Sequence, residues 1–402
     1  MKKTTLILLA AIFAIVYTSD ACTTAVISGK ATPDGRSIIW KLRDTDNLEN
    51  SIRYFTDGKY PYLGLINSKD TKGENVWAGS NSMGFAIMNS ASYNVNVGDT
   101  TSLKDMEGVF MKLALQTCAS LADFEQLLNT YPRPRGLAAH FGVIDAHGGA
   151  AFYEVNNQTW TKFDANEAPE GYVIRTNYSE TGTPDEGYGF IRRQNAEKIF
   201  ADASKQNSID TQTIMQQFSR CFYHSVFGLD YRTEYETGNY KTDFIASDDL
   251  ITRHSSVSSI VVQGIKKGES PDMNTVWVQV GFPETCLSLP LWVLGEDSFP
   301  DVLKYNETLK NSPLNTNALK WKKNVYPVGR SDGYHYLKIS ELINPEKTGY
   351  VQRIEQIEKD IFAQTEEMLA EWRKKTPDIQ SITSFYNKLD KLIEGFYEEE
   401  LD

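Results

Sequence analysis

The chain has 402 residues and a formal net charge of −12, from 41 Lys and Arg against 53 Asp and Glu. This acidic balance argues against nucleic acid or anionic lipid as a general partner, because both are negatively charged. An apolar fraction of 41%, with many Tyr and Phe, is enough to build a large core in one domain or two.

The first 21 residues have the pattern of a secretory signal peptide. Two lysines follow Met1, an apolar run spans residues 6–17, and Ser19 and Ala21 put small side chains three and one positions before the predicted cut. Cleavage would make Cys22 the first residue of a mature chain with 402 − 21 = 381 residues and a net charge of 39 − 52 = −13. We therefore expect an exported protein, periplasmic or extracellular.

Two other interpretations of the leader compete with this one. A membrane anchor needs about 18 or more apolar residues, and the run at 6–17 is shorter. Lipoprotein processing also cuts before a cysteine, but it favours a Leu-like residue three positions upstream, where this chain has Ser19. A lipid-anchored binding protein without enzymatic activity stays open as an alternative.

The four cysteines do not form a metal-binding or disulfide-scaffold pattern. The four are Cys22, Cys118, Cys221 and Cys286. They are widely spaced, and no C-x-x-C pair occurs among them. We expect no metal and no organic cofactor. An oxidising compartment would allow one disulfide among the last three.

Predicted elements begin with a β-hairpin. A β-prone run at Thr24 to Ser28 and a second at Ser37 to Leu42 flank the turn Thr32-Pro-Asp-Gly35, which places Cys22 at the exposed start of the hairpin. Further strands are predicted at 75–77, 84–89, 140–144, 150–155, 171–176, 256–263 and 275–280. Helices are predicted at 106–117, 120–128, 190–203 and 211–219. This order favours an α+β layered sandwich over alternating βαβ units.

The last part of the chain has a different pattern. Apolar residues at helical spacing before and after Thr376-Pro-Asp predict a helical hairpin with one apolar face. We therefore divide the chain into a signal peptide (1–21), a main domain (22–335) and a C-terminal helical segment (336–402) packed on it. A dimerisation role for that apolar face is the competing interpretation, and the sequence permits a homo-oligomer.

A cysteine at a chain terminus carries its own base. The α-amine has an ordinary pKa of about 7.7–8.0, so near neutral pH it can accept the proton of the thiol. Lys41 and Arg43, on the strand opposite Cys22, would favour the thiolate. Asp44 could accept hydrogen bonds from the terminal ammonium.

These residues resemble a known family. The run Cys22-Thr-Thr-Ala-Val-Ile-Ser-Gly-Lys-Ala, then Asp34-Gly35, then Ile38-Ile-Trp-Lys-Leu-Arg-Asp44 is similar to the start of the cysteine N-terminal-nucleophile (Ntn) hydrolases that cut linear amides. These include choloylglycine hydrolases, penicillin V acylases, C69-type dipeptidases and the acyl-CoA:6-aminopenicillanate acyltransferase-like proteins, whose branch the chain resembles most. The resemblance implies a four-layer αββα sandwich for the main domain.

The resemblance also implies roles for individual residues. Cys22 matches the nucleophile and Asp44 the aspartate that binds its amine. Most relatives have an arginine beside the thiol, where this chain has Lys41 in register and Arg43 two residues later, so the sequence leaves open which of the two lies there.

Three further residues follow from the same comparison of motifs. The segment Gly79 to Asn89 is similar to a G-x-N-x-x-G motif leading to an oxyanion-hole asparagine, for which Asn89 is the candidate and Ser90 competes. Asn177, after Thr176, would be the second polar group of the site. Arg253 is a candidate for stabilising the pocket or binding a substrate carboxylate, and a surface ion pair is the competing interpretation.

The expected function is hydrolysis of a linear amide through an acyl-thioester on Cys22. The expected partner is a small-molecule amide, such as an N-acylated amino acid, with no nucleic acid and no membrane contact beyond export. A secreted dipeptidase and an acyltransferase are the alternatives within the same chemistry.

Overall fold

A computed structural model describes residues 21–399 of the chain. The predicted signal peptide lies outside the described residues, except for Ala21. Within 21–399, no helix combines the length and the apolar character needed to cross a membrane.

The predicted N-terminal hairpin is confirmed. Strands β1 (Cys22–Ile27) and β2 (Ile38–Asp44) pair in antiparallel fashion, and Cys22 lies opposite Arg43. Gly35 in the connecting turn has φ 75°, a conformation that glycine adopts without steric cost.

Two antiparallel sheets form the centre of the molecule. The first contains six strands in the order β10-β1-β2-β14-β15-β16, and the second contains seven in the sequential order β3 to β9. The strands of the second sheet are β3 (Asn50–Phe55), β4 (Tyr62–Asn67), β5 (Ala78–Asn81), β6 (Ala86–Ala91), β7 (Ala139–Ile144), β8 (Ala150–Val155) and β9 (Trp160–Asp164). Besides β1 and β2, the first sheet contains β10 (Tyr172–Arg175), β14 (Ser256–Gln263), β15 (Thr275–Gln279) and β16 (Leu289–Leu291).

Helices and short strands surround these sheets. The helices are α1 (Glu107–Thr117), α2 (Leu121–Thr130), α3 (Phe190–Lys205), α4 (Thr211–Thr213), α5 (Tyr231–Glu236), α6 (Pro313–Val325), α7 (Tyr350–Trp372) and α8 (Ile379–Glu399). Two small two-stranded sheets pair β11 (Tyr223–His224) with β12 (Leu229–Asp230) and β13 (Phe244–Ala246) with β17 (Tyr336–Lys338).

The sheets pack face to face, and helices cover both outer faces. Between the sheets, the Thr24 hydroxyl of β1 lies 3.3 Å from that of Ser90 in β6. On the outside of the first sheet, Trp40 packs against Phe200 of α3. On the outside of the second, α1 and α2 cover a buried apolar cluster that includes Phe141. The predicted α+β architecture with αββα layers is confirmed.

Some element boundaries differ from the sequence-based expectation. Residues 75–77 do not form a strand: Asn75 N–H bonds the Asp70 carboxylate, and Val76 N–H bonds the Gly108 carbonyl of α1, so the strand begins at Ala78. The predicted helix at 211–219 is one α-helical turn that continues as a π-helical segment, Ile214–Phe218. Strands β3, β4 and β9 were not predicted.

The helical hairpin at the C-terminus forms as α7 and α8. Glu358 of α7 is fully buried and forms an ion pair with Arg220 at 2.7 Å, and it also accepts a hydrogen bond from Ser288 N–H. On α8, the Tyr397 hydroxyl donates to the Thr285 carbonyl. Both helices are therefore tied to the rest of the chain by buried polar contacts as well as apolar ones.

Replacing Glu358 should destabilise the whole protein. In Glu358→Ala the guanidinium of Arg220 remains buried without its carboxylate, which typically costs about 3–5 kcal/mol. Urea unfolding measures the change. Glu367→Ala, at an exposed position of α7, is the matched control and should change the free energy of unfolding by less than about 0.5 kcal/mol. Equal stability of the two variants would contradict an energetic role for the buried pair.

Candidate active site

Cys22 lies at the edge of the space between the two sheets. Residues paired directly across antiparallel strands point to the same face, and Cys22 pairs with Arg43 while Thr24 pairs with Lys41. All four side chains therefore share the face turned toward the second sheet. Arg43 is the direct cross-strand neighbour of Cys22, and Lys41 lies two residues further along.

The backbone of Cys22 is held from both sides. Its nitrogen, here still in the peptide bond to Ala21, donates to Oδ1 of Asn177 at 3.1 Å, and its carbonyl oxygen accepts from Nη1 of Arg192 at 2.8 Å. Arg192 Nη2 donates to the same Asn177 oxygen at 2.7 Å, and Asn177 Nδ2 donates to the Ala91 carbonyl at 2.9 Å. The position of residue 22 is thus fixed by side chains from distant parts of the chain.

Sequence reasoning did not identify Arg192. It belongs to α3, is almost fully buried, and has its pKa lowered to about 9 by burial and by the nearby charge of Arg253. In the sequence it is one of two adjacent arginines in a predicted helix, and arginine side chains are mostly exposed. No local signal distinguishes it from Arg193, whose side chain pairs with Glu197 near the surface.

Lys41 orients the amide of Asn89. Its ammonium donates to Oδ1 of Asn89 at 2.5 Å and to the Trp77 carbonyl at 3.0 Å. Because an ammonium only donates, the oxygen of this amide faces Lys41 and its NH2 group, a donor, faces elsewhere. Ser90, the competing candidate, instead lies 2.9 Å from Nδ1 of His140 in a buried hydrogen-bond network.

Arg43 is held at two points. Its Nη1 donates to Oδ1 of Asn50 at 2.6 Å, and its guanidinium lies 4.8 Å from the centre of the Trp77 ring. The residue is 3% exposed. Its charge is therefore fixed next to Cys22.

Asp44 is bound by the start of β14. Its Oδ1 accepts from the Ser256 hydroxyl at 2.6 Å, and its Oδ2 accepts from Nε of Arg253 at 3.0 Å and forms an ion pair with Nη2 at 2.9 Å. Arg253, predicted to bind substrate, thus lies against Asp44. The Asp44 carbonyl accepts a hydrogen bond from Ala21 N–H.

These side chains enclose a cavity of about 260 Å³. Cys22, Lys41, Arg43, Asp44 and Asn89 line it. The rest of the wall is formed by Trp77, Ala91, Ser92, Tyr93, Asp105, Glu107 and Ala138. The cavity wall therefore combines two cations, Lys41 and Arg43, with the carboxyl groups of Asp44, Asp105 and Glu107.

The described residues contain no grouping of His, Cys, Asp and Glu suited to a metal ion. His140, which contacts Ser90, is completely buried, and burial together with the charge of Arg175 holds its pKa well below the usual value. Burial raises the pKa of Cys118, Cys221 and Cys286 to about 12, and none of these three forms a disulfide.

A second carboxyl group, that of Glu284, interacts electrostatically with Asp44. Glu284 is fully buried, and neither of its carboxylate oxygens accepts a hydrogen bond from another residue within 21–399. Burial, with a contribution from the charge of Asp44, raises its pKa to about 8, although Arg220 and Lys322 act in the opposite direction. The group is therefore protonated at neutral pH.

Comparison with known proteins finds one family model that matches part of the chain, and several solved structures with low similarity. The family model described as acyl-coenzyme A:6-aminopenicillanic acid acyl-transferase matches residues 41–227. No curated protein matches the chain. The match to the family model confirms the resemblance to cysteine Ntn hydrolases that was inferred from the sequence.

Three solved structures with low similarity to this chain are described as a hydrolase, an amidase and an acylase. A variant of the conjugated bile acid hydrolase from Clostridium perfringens is 13% identical, with 67% of this chain and 92% of that chain covered and a TM-score of 0.40. The Caenorhabditis elegans ortholog of N-acylethanolamine-hydrolyzing acid amidase is 13% identical (62% and 93% covered, TM-score 0.36). The penicillin V acylase from Agrobacterium tumefaciens is 12% identical (67% and 86% covered, TM-score 0.34). Similarity at this level does not define the substrate of the present chain.

The buried Glu284 makes stability depend on pH. Its folded-state pKa lies above the ordinary 4.5, so its contribution is fully present below about pH 4.5 and is lost as pH rises toward 8. Glu284→Gln should remove this loss and become more stable relative to the wild type between pH 5 and pH 8, by more than about 1 kcal/mol. Urea unfolding at both pH values measures it.

Glu186→Gln, at an exposed position, is the control and should follow the wild type at both pH values. A Glu284→Gln variant that tracks the wild type across this range would show that the carboxyl group is ionised in the folded protein. The pH window stays below 8 because Lys322, with its pKa lowered to about 8, acts in the opposite sense above that pH.

Proposed function

We propose that this chain is an exported cysteine N-terminal-nucleophile hydrolase of linear amides. In this proposal, removal of residues 1–21 delivers the protein to the periplasm or the extracellular space and frees the amine of Cys22. The substrate is a small amide such as an N-acylated amino acid. The family match supports the class of enzyme.

One observation carries the proposal. Cys22 lines a cavity together with Lys41, Arg43, Asp44 and Asn89, all of them predicted from the sequence to act with it. These residues come from three different strands, β1, β2 and β6.

The surrounding charges suit the two ionisations that the nucleophile needs. Arg43, as the cross-strand neighbour of Cys22, stabilises the thiolate. Arg192, bonded to the Cys22 carbonyl, disfavours a second positive charge on the amine and so favours its neutral, basic form. The amine can then take the thiol proton and pass it to the leaving amine.

The acyl transfer steps use the polar groups around the thiol. Attack of the thiolate on the amide carbon gives a tetrahedral oxyanion, which the Asn89 NH2 group and the Lys41 charge stabilise. Collapse expels the protonated amine and leaves an acyl-thioester on Cys22. Water, deprotonated by the α-amine, then releases the carboxylic acid.

A dipeptidase is the second candidate, favoured by carboxyl groups on the cavity wall. Asp105 and Glu107 lie on the cavity wall, where a substrate with a free α-ammonium would find opposite charge. Turnover of dipeptides in preference to N-acyl amino acids would support this candidate. Amide formation exceeding hydrolysis when an acceptor amine is supplied would instead indicate an acyltransferase.

Cys22 should be the thiol that reacts first in the exported protein. Because the other three thiols are buried with pKa values of about 12, one equivalent of iodoacetamide should modify Cys22 and abolish amide hydrolysis, as should Cys22→Ala. Intact mass, N-terminal sequencing and substrate turnover measure this, with Cys221→Ala as the matched control that keeps activity. A mature terminus other than Cys22, or a diacylglycerol-sized mass increase, would contradict the proposal and favour the lipid-anchored binding protein.

The two cations of β2 should have separable effects. Arg43→Met should raise the thiol pKa and move the pH midpoint of Cys22 alkylation upward by about one unit. Lys41→Met should change this midpoint less, but should lower kcat by about 10²-fold, because the Asn89 amide loses its orientation. Alkylation rates and kcat across pH 6–10 measure both effects, and identical behaviour of the two variants would contradict the assignment.

A further inference from the structure

A lysine outside the Cys22 cavity holds the segment that binds Asp44. Lys322 projects from α6 and is 5% exposed. Its ammonium donates to the carbonyl oxygens of His254 at 2.5 Å and Ser256 at 3.2 Å, and lies 4.7 Å from the centre of the Phe282 ring. Lys322 and His254 line a separate cavity, of about 530 Å³, whose wall does not include Cys22.

The segment that Lys322 binds, residues 254–256, leads into an irregular part of β14. The pairing of β14 with β2 shifts register between Ser256 and Ser258, so Val257 is an extra residue in the strand. A bulge of this kind redirects side chains and leaves backbone groups outside the ladder. The Val257 carbonyl accepts from Asn50 Nδ2, and Lys322 binds the carbonyls on either side of Ser255.

This same segment supplies the groups that bind the Asp44 carboxylate. The Ser256 hydroxyl donates to it at 2.6 Å while accepting from Arg253 N–H at 3.1 Å, and Arg253 forms the ion pair on the other carboxylate oxygen. Moving the backbone at residues 254–256 would therefore move both partners of Asp44 together.

The charges around Lys322 are consistent with this arrangement. Burial lowers the pKa of Lys322 to about 8, whereas Glu284, in the turn after β15, and Asp44, on β2, raise it. His254 faces the lysine from the β14 side, and burial together with the charges of Lys322 and His335 lowers its pKa to about 4. At neutral pH, Lys322 is thus a buried cation near the carboxylate of Asp44 and the protonated carboxyl group of Glu284, with His254 neutral.

We propose that Lys322 is a positioning residue for Asp44 in the proposed amide hydrolysis, on which this inference rests. It does not line the cavity that contains the nucleophile. It acts by fixing the backbone at residues 254–256, and through Ser256 and Arg253 it fixes the carboxylate of Asp44, which lines the same cavity as Cys22 and which we assign to the Cys22 amine. The substrate contacts are unchanged when Lys322 is replaced, but the reacting amine loses its carboxylate partner.

The test compares Lys322→Met with Lys323→Met, an exposed lysine beside it on α6 that lines the same outer cavity. In the mature enzyme, Lys322→Met should lower kcat at least tenfold with KM changed less than threefold. The acidic limb of kcat/KM should move to lower pH, because an ammonium without its carboxylate loses its proton more readily. Lys323→Met should match the wild type in all three quantities.

A double-mutant cycle shows whether Lys322 acts through the proposed segment. Ser256→Ala removes one hydrogen bond to Asp44 directly, so the loss of kcat in Lys322→Met/Ser256→Ala should be well below the product of the two single losses. Multiplicative losses would overturn the proposal. If Lys322→Met does not fold in thermal unfolding, Lys322→Gln replaces it in the cycle with the same criterion.

A further measurement separates this proposal from the proposed function. The pH dependence of Cys22 alkylation reports on the terminal thiol and amine without any substrate. Its midpoint should move to higher pH in Lys322→Met, because a terminal amine that loses its proton more readily no longer stabilises the thiolate by its charge, and an unchanged midpoint would overturn the positioning role. Absence of turnover in the wild type, with a shifted midpoint in the variant, would overturn the hydrolase assignment alone.

Discussion

The pairing of β1 between β10 and β2 is the constraint on which the site depends. Strand β1 pairs with β2 from Cys22 onward and with β10 from Thr24 onward, and this pairing fixes the position of its first residue. All six residues of the strand are buried, so both of its faces pack against other parts of the protein. A shift by one residue would turn Cys22 to the opposite face of the sheet, away from Lys41 and Arg43.

The site concentrates positive charge in a protein with a net charge of −12. Lys41, Arg43 and Arg192 each donate to the side-chain oxygen of an asparagine, namely Asn89, Asn50 and Asn177. An amide oxygen accepts a hydrogen bond without cancelling the charge of the donor, so it fixes a cation while the field of that cation still acts on its neighbours. Three buried cations around one thiol provide the kind of environment that lowers the pKa of a reactive cysteine.

The sequence made part of this arrangement predictable. The hairpin follows from alternation and turn chemistry, and two-residue spacing places Lys41 and Arg43 on one face of a strand. The contact between Arg253 and Asp44 could not be foreseen in this way, because the two residues are 209 positions apart and meet only when β14 pairs with β2. The role of Arg192 could not be foreseen either, since its neighbours in sequence are those of a surface helix. The strand expected at 75–77 was wrong because side-chain and helix contacts that local patterns do not reveal determine where β5 starts.

Several buried polar groups near the site lower the stability of the fold. Ionisable groups with perturbed pKa values are common around functional sites. Glu284 is buried without a hydrogen bond from any other described residue, and Lys322 keeps its ammonium with only backbone carbonyls and a ring as direct contacts. An apolar pair of the same volume would make a more stable core, but it would not bind the carbonyls beside the bulge in β14. Lys322 binds the carbonyls of His254 and Ser256, and Ser256 donates to Asp44. The unfavourable burial of Lys322 is therefore explained by the backbone position that it fixes next to Asp44. In the proposed arrangement, helix α6 thereby determines the position of the Asp44 carboxylate at the cavity that Cys22 lines.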